Sequence, residues 1–292
     1  MARLAALLAI WPVCVAAEDP LQAALDRISA QAEIFRGAAP KVIARETLVQ
    51  RAQRPRRHRF PVTIGGNTGQ PPPVEFERRE IASEYGFAAL KSAPGALHEF
   101  REVVTVDGRR VATEAKARES LAAGLISDDD RARKRMLERF ERHGLVGAAA
   151  DFGQIILLFS RRRLDRYDFR LAGEQRIGAD RAKVIVFKEK AGKGSLLVFE
   201  RRQAIYQPLE GQIWVRERDG MPVRVWLRAQ RESGGVAMRD EATVDYVESP
   251  HGLIVPASVV HRQFAGGQMT VENVFRYSPF RMFAADADIK FP

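Results

Sequence analysis

The chain has 292 residues, 47 lysines and arginines against 37 aspartates and glutamates, a formal charge of +10, and one cysteine, Cys14. A single cysteine excludes a disulfide framework and a Cys-ligated metal, and this length buries a full core without either. The basic excess would draw the protein toward anionic lipid headgroups or acidic polysaccharide.

The first 17 residues predict a cleavable secretory signal. Arg3 supplies the charge, Leu4–Val13 is an apolar run too short to cross a bilayer of about 30 Å, and Val15-Ala16-Ala17 provides a cleavage site. Trp11-Pro12-Val13 does not match the small residues that precede a lipidated cysteine, so an unlipidated mature chain, residues 18–292, is expected in the periplasm. Cleavage removes Arg3 and Cys14, leaving a charge of +9, no thiol chemistry, and no nucleic acid as an expected partner. No later segment approaches the 18 apolar residues that a membrane-crossing helix needs.

Pro20–Arg36 predicts an amphipathic helix with Leu21, Leu25, Ile28 and Ile34 on its stripe. Lys41–Gln50 reads as a strand. Residues 51–75 read as a basic loop that opens with Arg51, Arg54, Arg56, Arg57 and Arg59 and ends in glycines and Pro71-Pro72-Pro73. Strands are expected over Glu77–Tyr85 and Glu99–Val106. A helical insertion over 113–165 follows, with helices at Thr113–Leu125, Ser127–Arg142 and Ala148–Phe159. Ser127 is a fitting N-cap, with Asp128–Asp130 in the first turn. From Tyr167 onward, short β runs with regular turn signals predict an antiparallel meander. The whole reads as one α+β domain.

Within that meander, Arg218-Asp219-Gly220 predicts a three-residue hairpin loop with Gly220 left-handed, pairing Ile213 with Val225 and Val215 with Val223. Trp214, Trp226, Arg216 and Arg224 then share a face, which is either a binding surface or a set of cation–π pairs.

A search for chemistry returns no catalytic set, no metal site and no cofactor site. The five histidines are scattered. His98-Glu99-Phe100-Arg101-Glu102 puts a glutamate where a zinc helix needs its second histidine. No Gly-x-Ser-x-Gly elbow is present, and Gly192-Lys193-Gly194-Ser195 lacks the pattern of a phosphate loop. Pairing of distant carboxylates, as in a hydrolase, stays open at this level.

Two features stand out. The segment Ala148–Phe159 is apolar nearly all round, with Phe152, Ile155, Ile156 and Phe159 on one face and Arg161, Arg162 and Arg163 directly after it. It is either plain core or a plug over an apolar cavity, with the arginines placed to meet anionic headgroups. The arginines around Arg56 and Arg57 form either a solvated loop or a second contact with an anionic membrane surface.

Gly211-Gln212-Ile213-Trp214-Val215, the Asp219-Gly220 turn and Pro222-Val223-Arg224-Val225 resemble a strand pair of the LolA-like periplasmic lipoprotein-carrier superfamily. Phe275-Arg276-Tyr277, Phe280 and Asp288–Phe291 are similar to its last strands. The resemblance implies a strongly curved antiparallel β-sheet, an open half-barrel covered by α-helices, in a non-catalytic protein that shelters a lipid or an acylated partner. This chain is about a hundred residues longer than the carriers. An envelope scaffold that uses its basic surface is the alternative.

Overall fold

The computed structural model describes residues 19–54, 74–90, 96–126, 130–143, 145, 151–192, 194–200 and 203–283. The expected signal sequence, most of the expected basic loop including Arg56 and Arg57, the residues expected to cap the second helix (127–129) and residues 288–291 lie outside the described residues.

Helix α1 (Pro20–Ala38) starts where Asp19 accepts the Leu21 N–H at 3.0 Å and proline takes the first helical position. Leu25, Ile28, Ala32 and Phe35 recur at intervals of three and four residues and are buried. Ile34 falls off that stripe and is 49% exposed. Strands β1 (Val42–Gln53), β2 (Phe76–Ala89), β3 (Leu97–Val106) and β4 (Arg109–Arg110) follow, so the first residues assigned to the loop instead extend β1. Next come α2 (Glu114–Ile126) and α3 (Asp130–Arg142). The second half carries β5 (Tyr167–Ile177), β6 (Asp180–Glu189), β7 (Leu196–Glu200), β8 (Gln203–Gln207), β9 (Leu209–Arg216) and β10 (Pro222–Ser233). It ends with β11 (Val236–Glu248), β12 (Ile254–Ala265), β13 (Gln268–Tyr277) and β14 (Arg281–Met282).

Twelve strands form one antiparallel sheet in the order β4-β3-β2-β1-β13-β12-β11-β10-β9-β6-β5, with β14 also beside β1 and β7–β8 a separate hairpin. The β1–β13 pairing joins the two halves of the chain, and the sheet is not closed. In the β9–β10 hairpin, Ile213 faces Val225 as expected and Gly220 has φ +71°. Val215 faces Pro222 instead of Val223, because a bulge falls between Pro222 and Arg224.

The sheet is curved, and chain geometry requires it. Nine strand spacings separate β3 from β5, roughly 43 Å on a flat sheet. Yet Gly153 packs on Tyr85 and Glu99 at one end while Phe159 packs on Phe187, Tyr167 and Phe169 at the other. Seven residues reach at most about 25 Å fully extended, so the strands wrap around this segment and α1. One continuous apolar core covers the inner face and extends to Phe100, Leu121 and Met136 at α2 and α3.

The outer face is covered differently. Helix α2 lies on β2 and β3, burying Ala117 and Leu121 and setting Leu125 against Gly86, where an added Cβ would stand 3.0 Å from Leu125 Cδ1. Helix α3 sits at the β3 edge, where Met136 Sδ receives the Arg101 N–H at 3.1 Å. That edge therefore does not offer free donors at these positions.

Candidate functional site: the filled inner face

Phe152, Ile155, Ile156 and Phe159 are all buried on the inner face. The helix expected over Ala148–Phe159 is not the form they take. Residues 146–150 lie outside the described residues, Asp151–Gln154 are non-helical, and only Ile155–Phe159 forms a turn of 3-10 helix. The reason is where the backbone donors go. The Gly153 N–H bonds Glu99 Oε1 at 2.5 Å and the Ile156 N–H bonds the Tyr246 hydroxyl at 3.1 Å, both on the sheet. Donors bound to the host are not available to build a regular helix.

The filler spans the width of the sheet. Asp151 begins it, accepting from the Glu99 N–H at 3.1 Å, meeting His98 Nδ1 at 3.0 Å and pairing with Arg133 at 2.7 Å. The Phe152 ring lies 4.4 Å from the His261 ring on β12. Phe159 ends the segment, edge-on to Phe187 at 5.0 Å and near Tyr167 at 5.9 Å. Arg161, Arg162 and Arg163 follow in a second 3-10 stretch, Arg161–Arg166. Arg161 and Arg162 are exposed. Arg163 is half-buried, its guanidinium held below the usual arginine range by burial and by Arg162.

Beneath Gly153 lies a buried ionic cluster that the sequence reading passes over. Arg101 Nε donates to Glu46 at 2.7 and 3.0 Å, and Nη2 bonds Glu99. The guanidinium is sandwiched between the Tyr85 and Phe275 rings at 5.1 and 5.4 Å. One cation thus faces two carboxylates. Burial pushes the Glu99 carboxyl up to about 7, against the pull of Arg101 and with further push from Asp151 and Glu46. The sequence signal was available: charged residues stand at the inward parity of strands whose neighbours there, Ala44, Leu48 and Phe87, are core.

A second polar row crosses four neighbouring strands. Gln50 donates to Asn273 at 2.6 Å, Asn273 reaches His261 Nδ1 at 3.2 Å, and His261 Nε2 faces Asp240 at 3.4 Å. Gln263 and Arg231 add to Asp240 at 2.9 and 3.2 Å. Both ring nitrogens of His261 are engaged, so the His–Asp pair offers no free base to a nucleophile. Among the described residues, no three His, Cys, Asp or Glu side chains gather as a metal-binding set.

On the outer face, Trp214 donates to Gln175 at 2.8 Å. Arg216 and Arg224 pair with Asp219 and Asp245, and Arg228 is the guanidinium over Trp226, at 5.8 Å. Two cavities lie outside the segment Asp151–Phe159. One of about 330 Å³ separates α2, α3 and β3, and one of about 110 Å³ lies between α1 and the β9–β10 hairpin.

No protein-family model matches the chain, and no curated protein matches its sequence. Solved structures do match in fold. A DUF1329 family protein from Desulfovibrio piger is 12% identical, covering 94% of this chain and 95% of its own, with a TM-score of 0.36. A LolA superfamily protein from Nitrosomonas europaea is 10% identical, covering 89% and 94%, with a TM-score of 0.33. A domain from Vibrio parahaemolyticus, assigned to outer membrane lipoprotein sorting, is 10% identical, covering 90% and 93%, with a TM-score of 0.38. The chain is similar to LolA superfamily and DUF1329 proteins in fold alone, and a fold fixes neither ligand nor chemistry.

Proposed function

We propose that the chain is an exported, periplasmic, non-catalytic binding protein whose inner face shelters a lipid or the acyl group of a partner protein, with Asp151–Phe159 as a displaceable plug. One observation carries this reading: beside α1, the inner face of an unclosed sheet is filled by a segment with a single 3-10 turn that takes polar contacts from the host at Glu99 and Tyr246. Its apolar side chains occupy the place that acyl chains would take. Each buried methylene is worth about 0.8 kcal/mol, so a partly sheltered chain would offset the loss of the plug's own contacts. Arg161, Arg162 and Arg163, which follow the plug directly, are placed to meet the headgroup of such a ligand.

Native mass spectrometry of the protein purified from its periplasm, followed by solvent extraction, tests this. A co-purifying lipid or acyl peptide whose occupancy rises in Ile156→Glu, which weakens the plug's hold on the inner face, with the circular dichroism spectrum retained, is the expected result. A ligand-free mass that does not change with added lipids overturns it. A scaffold acting through its basic surface would then account for the protein, and its contacts would weaken steeply with salt.

A further inference from the structure

We propose that the cavity between α2, α3 and the β3 edge binds a phosphomonoester carried on a short apolar stem. The cavity, about 330 Å³, is large enough for a headgroup and the first carbons beyond it. None of the plug residues lines it.

Charge selects the ligand class. Arg101, Lys116, Arg139, Arg142 and His143 line the cavity, with Glu102 as its one carboxylate, and the Arg101 guanidinium is already held by Glu46 and Glu99. Arg139 spends both terminal nitrogens on Glu102, at 2.6 and 2.7 Å, so these two charges cancel and their geometry is fixed. Among the described residues, neither Lys116 nor Arg142 is joined to a carboxylate by an ion pair. Two positive charges therefore face the cavity without compensation. A phosphomonoester carries about −1.5 to −2 at neutral pH and matches them, whereas a zwitterionic headgroup does not. An arginine fork and a lysine point charge are also the usual partners of phosphate oxygens.

The remaining walls explain the stem. Val103, Ala112, Ala117 and Met136, from β3, the segment before α2, α2 and α3, give the cavity an apolar part to its lining. Val111, also lining it, is 52% exposed, an apolar side chain left in water unless something covers it. A purely inorganic anion would leave this apolar lining unused.

Isothermal titration calorimetry with inorganic phosphate, glycerol phosphate, dihexanoyl phosphatidic acid and dihexanoyl phosphatidylcholine tests the site. Saturable, salt-sensitive binding of the phosphomonoesters is expected, with Lys116→Ala and Arg142→Ala each weakening it roughly tenfold. Arg110→Ala, an exposed change outside the cavity, should leave binding unchanged. Glycerol phosphate binding as tightly as phosphatidic acid would support a soluble ester as the source, and a large gain from the acyl chains would support a lipid headgroup. Phosphatidylcholine binding equally well, no saturable binding at all, or indifference to both variants would each overturn the proposal. Lys116 and Arg142 are exposed, and matching thermal melts of the variants would show that any loss is one of binding.

Discussion

The plug on the inner face and the helices on the outer face come from one stretch of chain, between β4 and β5, and they are held in opposite ways. Helices α2 and α3 carry their own hydrogen bonds; α2 lays Ala117 and Leu121 on the sheet, α3 sets Met136 at the β3 edge, and ion pairs such as Arg45–Glu114 and Arg139–Glu102 join them to the strands. The plug has a single 3-10 turn, gives backbone donors to Glu99 and Tyr246, and rests on an ionic cluster from which water is excluded. An element that supplies its own hydrogen bonds can sit on almost any apolar surface. One that borrows them is specified by its host, and a change in the host should move it.

The sharpest way to break the comparison is at Arg101, whose side chain is 1% exposed. Arg101→Ala leaves Glu46 buried with no counter-charge, and a loss of about 3–5 kcal/mol is expected in urea denaturation. A loss below about 1 kcal/mol would mean that the cluster is not what supports this end of the sheet.

Gly153→Ala should act next. An added Cβ would stand 2.8 Å from the Tyr85 hydroxyl and 2.9 Å from Glu99 Oε1, inside contact distance of two buried groups. Overpacking of this kind costs about 1–3 kcal/mol. Because the clash falls at the start of the plug, hydrogen exchange should speed up at Ile156 and leave α2 unchanged. Uniform acceleration throughout the chain would show that the plug is not a separable unit.

Glu99 gives the comparison a pH dependence. With its carboxyl raised from an ordinary value near 4.5 to about 7, the folded protein keeps a proton that the unfolded chain has released across that window. Its contribution to stability is therefore full below about 4.5, falls as pH rises, and is gone above about 7. Glu99→Gln keeps an acceptor for the Gly153 N–H and removes the titration. The difference between wild-type and variant stability should change across this window and flatten above it. Equal pH slopes for the two proteins would place the titrating group elsewhere.

How much of this was legible in the sequence follows the same division. Helices α2 and α3 were readable because the placement of charge along a helix is a local signal, and the Ile213–Val225 pairing was readable because hairpin registers are local too. The plug was read as a helix because apolar text without a period does not distinguish a helix from a turn that fits a host. What decides it is 50 to 90 residues away, in Glu99 and Tyr246. The Glu46–Arg101–Glu99 cluster was missed for the same reason: each residue looks like a solvated strand charge until β1, β2 and β3 are aligned. Arg216 and Arg224 showed the converse error. Their proximity to Trp214 and Trp226 was correct, but nearby aspartates take their guanidinium groups.

The smallest expected effect completes the contrast, because it uses the same chemistry in the other setting. Arg45 pairs with Glu114 at the start of α2, and the two side chains are 42% and 52% exposed. Water already solvates both ions, and holding two long side chains together costs entropy that the screened attraction barely repays. Arg45→Ala should therefore cost no more than about 1 kcal/mol in the urea series used for Arg101→Ala. Its effect should shrink further in high salt, while that of Arg101→Ala, shielded from ions by burial, should not. A loss at Arg45 as large as that at Arg101 would mean that the outer helices are as dependent on their host as the plug is.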